Sequence, residues 1–232
     1  MQTNNILFRC SGAGSLLTEP RTNADKLAGK LSETAKTFVE DMWLFNTYGF
    51  KEQVKTDAMD KGNECEQDSM ALVQDVLGGP FRSRFNTKLQ NDYVIGTPDI
   101  VLDDAVEDIK TSWNLKTYFN AEPTTMYTTQ AQCYMWLTGK KNYRLIYCLV
   151  PTPQHLVSNE MQKLSYKFGG NYDNPDYIAE CQQIQRNNDL INEIPKLDRI
   201  KVFEFTYDEA VIEKLKGQIE KARNYYNTLK LK

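Results

Sequence analysis

The segment "TPDIVLDDAVEDIKTSW", residues 97–113, carries two carboxylates, Asp99 and Asp108, and one amine, Lys110. It reads as two short strands joined through Asp103-Asp104. Alternate residues of a strand share a face, so Val106, Asp108 and Lys110 point one way and Ile109 the other, toward the core. Glu107 faces away from Asp108 and is not expected to act with it. Cross-strand neighbours approach to about 5 Å, so Asp99 and Asp108 can converge on one point. Charge is costly to desolvate unless it is paired or binds metal. Two hard carboxylates with waters and a backbone carbonyl form an oxygen set that Mg²⁺ accepts. A lysine beside such an ion can orient water or meet developing negative charge, which suits phosphodiester hydrolysis. A surface hairpin with a cross-strand Asp–Lys pair contains the same residues, so the segment alone leaves both readings open.

The surrounding elements must position these groups. Residues 22–50 begin with capping residues and place Leu31, Ala35, Phe38, Val39, Met42 and Trp43 at helical spacing, predicting one amphipathic helix that ends near Gly49. Residues 60–79 read as a second helix stopped by Gly78-Gly79. Residues 81–90 and 92–102 read as strands about a "QND" turn, and 105–113 as the next strand. Pro98 signals a sheet edge or an irregularity. "TTMYTTQAQCYMWLTGK" reads as a helix with a Gly139 stop, and "YRLIYCLV" as a buried strand ended by Pro151. Residues 158–188 read as helices of an accessory cover, followed by a strand at 200–207 and a terminal amphipathic helix. The expected class is α/β, a mixed central sheet flanked by helices in one domain over residues 1–232. Its core spans about 61–150, with a helical part at 1–60 and an accessory cover at 151–232.

Composition narrows the chemistry. The chain has 232 residues, 41% hydrophobic and 25% charged, with net charge −3, ordinary values for a soluble globular protein. No apolar run approaches the roughly 20 residues of a membrane helix, and the N-terminus lacks a signal pattern, so no membrane association and a cytoplasmic address are expected. Five scattered cysteines without a CxxC pair argue against a disulfide framework or zinc knuckle. The lone histidine, His155, argues against HExxH zinc chemistry and a Ser-His or Cys-His machine. The negative net charge does not advertise a nucleic-acid partner. "RSRFNTK" (Arg82, Arg84, Lys88) and "GKKNYR" are nonetheless local basic clusters that could attract phosphate.

"GTPDIVLDD…VEDIKTSW" resembles the PD-(D/E)xK nuclease signature, with Pro98-Asp99 as the PD and Asp108-Ile109-Lys110 as the DxK. "KGNECEQDSM" resembles the Gly-x-x-x-Glu segment of the lambda exonuclease and YqaJ-like viral recombination branch, its glutamate being Glu66. "TTQAQCYMW" is similar to that branch's Gln-x-Gln…Met-Trp segment. The resemblance covers about residues 61–150 and implies a restriction-endonuclease-like core. It further implies that Asp99, Asp108, the Ile109 carbonyl and Glu66 ligate Mg²⁺, with Mn²⁺ able to substitute. Lys110 would position or activate water and Gln130 would support it. Many members carry Glu where Asp108 stands. Ser11, in "FRCSGAGSLLTEPR", aligns with a segment that holds a DNA phosphate. Arg9 departs from the family's arginine position. Arg82, Arg84, Gln132 and Tyr134 are further candidates for DNA contact.

The implied activity is a metal-dependent DNA exonuclease that resects double-stranded DNA ends, 5′ to 3′, for strand annealing. An annealing protein and a ring of three chains are the partners the resemblance implies, and the host-cell cytoplasm is the address for a phage-encoded chain. A structure- or sequence-specific endonuclease of the same fold, and a non-catalytic DNA-binding module, are the competing readings.

Overall fold

A computed structural model describes residues 6–231. Two sheets organise them. The larger has strand order β4-β5-β6-β7: β4 (Ile100–Val101), β5 (Ala105–Thr111), β6 (Asn142–Cys148) and β7 (Ile200–Thr206). β5 and β6 run parallel, and the other neighbours antiparallel. The smaller has order β1-β3-β2: β1 (Phe8–Arg9), β2 (Leu89–Gln90) and β3 (Val94–Gly96). The mixed α/β class expected from the sequence is therefore present.

Helix α6 (Thr125–Thr138) makes the β5-to-β6 crossover and buries Ala131, Cys133, Tyr134 and Met135 in the main core. Thr124 caps its start and Gly139, at φ 72°, ends it. A 3₁₀ helix, Cys10–Leu17, lies on α6 so closely that a Cβ at Gly14 would stand 2.6 Å from the Met126 Cα. Only glycine fits there. Helix α9 (Glu209–Tyr226) closes the same core with Ile212, Leu215, Ile219 and Ala222. On the opposite face of the larger sheet, α4 (Glu66–Leu77) packs Leu72 and Val73 against Ile109, Ile146 and Cys148.

Three expectations need correction. The helix expected over residues 22–50 is two, α1 (Asn23–Leu27) and α2 (Glu33–Tyr48). Gly29 at φ 63° breaks the chain between them, and Ser32 caps α2. The helix expected over 60–79 bends at Cys65 into α3 (Asp57–Glu64) and α4. The strand expected over 81–90 shrinks to Leu89–Gln90, because Phe81 is exposed and Arg82 is drawn inward by Glu107. The strand expected over 92–102 divides between the two sheets, with Thr97–Asp99 bridging them. α5 (Leu115–Phe119), capped by Asn114, was not anticipated.

Residues 151–199 form the expected cover through α7 (Gln154–Ser165) and α8 (Pro175–Asp189). The five cysteines are unpaired. Among the described residues no helix is long and apolar enough to cross a membrane.

Candidate active site

The hairpin β4–β5 turns tightly, Leu102 N–H donating to the Ala105 carbonyl at 2.8 Å. Ile100 stands opposite Glu107 and Val101 opposite Val106. Continuing that register by one residue sets Asp99 opposite Asp108. It is a non-hydrogen-bonded pair, the kind in which side chains stand closest. The next pair is Pro98 with Ile109. The alternation turns the Ile109 backbone toward the edge strand, where proline has no N–H to offer. Pro98 therefore leaves the Ile109 carbonyl without a ladder donor beside the two carboxylates.

Asp108 is 1% exposed. Lys110 Nζ donates to its Oδ1 at 2.8 Å. The same ammonium lies 2.7 Å from Oδ2, so both carboxylate oxygens are paired with Lys110. Burial pushes the Asp108 carboxyl up to about 8, against the pull of Lys110 and with further help from Asp99. Burial also works against the Lys110 ammonium, but the carboxylates of Asp108 and Asp99 outweigh it and hold its pKa above the ordinary lysine value.

These features fit a divalent cation. A carboxylate as buried as Asp108, with a second carboxylate beside it, is stabilised when a cation shares the two. The Asp108 and Asp99 carboxylates and a backbone carbonyl such as that of Ile109 are hard oxygen donors of the required kind. Among the described residues no three His, Cys, Asp or Glu side chains stand close enough to hold one ion together. A magnesium site with two protein carboxylates and several retained waters needs no third.

Asp99, Ile109 and Lys110 line a cleft of about 660 Å³, whose wall also includes Glu66, Arg84, Tyr127 and Tyr147. Glu66 opens α4 at the bend after Cys65, and its carboxylate takes a 2.9 Å hydrogen bond from Arg84. The structure thus brings Glu66 into the cleft but does not gather it with the aspartate pair. Arg84 sits exposed at the cleft mouth.

Tyr134 is buried. Its hydroxyl donates to the Thr97 carbonyl at 3.0 Å, and its ring fills the space a side chain at Gly96 would need. It holds the chain leading into Pro98-Asp99. Gln130, one turn earlier, is buried against the Tyr134 phenol. Among the described residues it makes no hydrogen bond to Lys110. Tyr127, which sequence reasoning passed over, has its ring 5.3 Å from Lys110 Nζ. Its position three before Gln130, on one helix face, was the available signal.

Two expected phosphate contacts are engaged by other partners, and a third, Ser11, lies outside the cleft. Gln132 is spent on the β7–α9 junction, donating to the Thr206 carbonyl at 2.9 Å and accepting from Asp208 N–H at 2.8 Å. Ser11 is exposed at the start of the 3₁₀ helix and does not line the cleft. Arg82 is buried, with Nε 2.7 Å from the fully buried Glu107, which Arg144 also reaches at 3.1 Å. Glu107 is the reason: an unpaired buried carboxylate is so costly that it recruits both arginines. Arg82→Ala is therefore expected to lower unfolding free energy by about 3 kcal/mol in urea titrations. DNA affinity should change little, whereas unchanged stability with lost affinity would restore Arg82 to the phosphate-binding role.

Lys61, also unforeseen, is fully buried in α3. Its Nζ donates to the carbonyls of Trp113 at 2.8 Å and Val150 at 2.7 Å, clamping the ends of β5 and β6. Burial pushes its pKa down to about 8.

No protein-family model and no curated protein matches the chain in sequence. Solved structures do. A phage-related exonuclease from Haemophilus somnus 129PT shares 27% identity, with a TM-score of 0.76 over 96% of this chain and 94% of that one. The alkaline exonuclease LHK-Exo from Laribacter hongkongensis aligns with a TM-score of 0.62 at 13% identity, over 95% of this chain and 88% of its own. Its complex with dAMP aligns at 0.60 and 13%, over 97% and 90%. At such identity the LHK-Exo match speaks to fold alone.

Proposed function

We propose that this chain, which has the fold of the lambda exonuclease-like PD-(D/E)xK enzymes, is a metal-dependent exonuclease acting on the ends of double-stranded DNA. The observation that carries the reading is the meeting of Asp99 and Lys110, which line the cleft, with the buried Asp108 that Lys110 pairs. Its likeness to a phage-related exonuclease along nearly its whole length supports the choice of reaction.

In this reading Asp99, Asp108 and the Ile109 carbonyl would hold Mg²⁺, or Mn²⁺ in its place, with Glu66 on the cleft wall as a further candidate ligand. The bound ion supplies Lewis acidity toward a phosphate oxygen and lowers the pKa of water. Lys110 is anchored by Asp108 on one side and faced by the Tyr127 ring on the other, so its ammonium has a fixed position. From there it orients a water and meets the negative charge that builds on the phosphate. Arg84 exchanges its carboxylate partner for a DNA phosphate. Tyr134 and Gln130 are positioning residues that keep Asp99 opposite Asp108. The resemblance extends the reading to 5′-to-3′ resection, an annealing partner and a ring of three chains.

The test uses linear duplex labelled at its 5′ or 3′ ends beside a closed circular duplex, each with Mg²⁺. Loss of the 5′ label first, with the circle intact, is the expected result. A nicked circle would make the enzyme an endonuclease, and early loss of the 3′ label would reverse the polarity.

A further inference from the structure

Asp99 is held from a side that the hairpin does not supply. Its main-chain carbonyl accepts from the Phe85 N–H at 2.7 Å. Phe85 belongs to residues 78–88, which join α4 to β2 and lie outside helix and strand. With no ladder to fix this strap, its side chains must do so. Arg84, within it, reaches Glu66 on the cleft wall at 2.9 Å. One short strap therefore touches both Asp99 and Glu66.

The anchor of the strap is Arg82, on the face of β5 opposite to Asp108. Its guanidinium meets Glu107 as a fork, Nε donating to Oε2 at 2.7 Å and Nη2 to Oε1 at 3.2 Å. Its Nη1 donates to the Gly78 carbonyl at 2.8 Å, and its main-chain N–H donates to Gln74 Oε1 at 3.1 Å. Main chain and side chain of Arg82 are thus both bound, which fixes the point from which the strap runs to Phe85. Glu107 precedes Asp108 in β5, and its partner across the hairpin, Ile100, follows Asp99. Anchor and catalytic carboxylates share one frame.

Stability alone does not account for this anchor. Glu107 is fully buried and Arg82 is 6% exposed. A buried ion pair gives up hydration that apolar side chains of similar volume never had, so it is a poor source of stability. What the fork adds is direction: two parallel charge-assisted bonds select one relative orientation. Arg144 also reaches Glu107, but it keeps Asp104 at 2.7 Å and does not depend on that contact alone.

We infer that Arg82 is a positioning residue for the metal site: its fork on Glu107 sets the strap so that the Phe85 N–H holds Asp99 opposite Asp108. The inference rests on the nuclease reading and deepens it. Mg²⁺ demands near-octahedral geometry, so a displaced Asp99 weakens the ion's hold.

Calorimetric titration of Mn²⁺ into the DNA-free chain measures the site apart from catalysis. Two variants separate orientation from stability. Arg82→Lys keeps a cation beside Glu107 but cannot form the fork. Arg82→Met combined with Glu107→Leu removes both charges at similar volume and should melt at or above the wild-type temperature. Both should weaken Mn²⁺ binding roughly 10- to 100-fold, the loss that follows removal of a group orienting a metal ligand. Both should also lower kcat while the KM for linear duplex changes less than about twofold, since the interaction lost is not a DNA contact. Wild-type Mn²⁺ affinity in a variant that melts like the wild type would overturn the inference and leave the nuclease reading intact. So would a loss confined to variants that melt lower, which is what a merely structural ion pair predicts. A wild-type chain that binds no Mn²⁺ would overturn both.

Discussion

Lys110→Ala should reduce the rate of nucleotide release from linear duplex DNA by about 10²–10⁴-fold, the span associated with losing a positioned proton-transfer or charge-stabilising group. Affinity should fall far less, because one cation among several facing the DNA is removed, and the salt slope of binding should drop by roughly 1. The split follows from the site's geometry. Lys110 reaches the cleft from β5, is oriented by Asp108 at 2.8 Å and faces the Tyr127 ring. It is fixed before substrate arrives, so its contribution falls on the reaction more than on binding. A mutant that cleaves at the wild-type rate, or loses binding and cleavage in equal measure, would show that Lys110 is one more surface cation.

Asp108→Asn should have two effects of opposite kind. Cleavage should fall below detection, since the amide cannot ligate as a carboxylate does. The metal-free chain should become more stable, and the sign can be worked through. In the folded protein burial and Asp99 push the Asp108 carboxyl up to about 8, far above the roughly 3.9 of an unfolded aspartate. Between those values the folded state binds the extra proton, so Asp108's contribution to stability is full below about pH 4 and is lost as pH rises toward 8. Asparagine has no proton to lose. Melting curves should therefore separate wild type from Asp108→Asn little at pH 5 and most at pH 8, with the mutant melting higher. Mg²⁺ should close the gap by raising the melting temperature of the wild type and not of the mutant. Equal melting of the two proteins at every pH, or a Mg²⁺ response that survives the substitution, would remove Asp108 from the metal site.

The sequence made the hairpin legible because strand alternation and register are local. Asp108 and Lys110 had to share a face, Ile109 had to turn to the other, and Glu107 could not join them; β5 obeys all three. The breaks were harder. Gly29 and Cys65 interrupt apolar patterns that continue on both sides, so periodicity alone carried a helix through each. Residues 81–90 alternate like a strand, yet Arg82 leaves that path for Glu107, a partner 25 positions away.

Two of the expected phosphate contacts, Arg82 and Gln132, are engaged elsewhere for one shared reason. Arg82 and Gln132 are polar residue types that a sequence shows as solvent-facing, and only the fold reveals that they satisfy the buried Glu107 and the β7–α9 junction. Glu66 lies on the wall of the cleft, apart from the aspartate pair. Its pairing with Arg84 could not be read from spacing, because it depends on how the irregular segment after α4 folds back. Lys61 was invisible for a related reason: a lysine in a polar helix gives no sign that two carbonyls at strand ends will enclose it.

The central claim is that Asp99, Asp108 and Lys110 hydrolyse DNA only with a divalent cation between them and the phosphate. Its most direct measurement is release of acid-soluble nucleotide from uniformly labelled linear duplex, in Mg²⁺ and in excess chelator. The account predicts steady release with Mg²⁺ and none with chelator. Continued release in chelator, or no release in either, would contradict it.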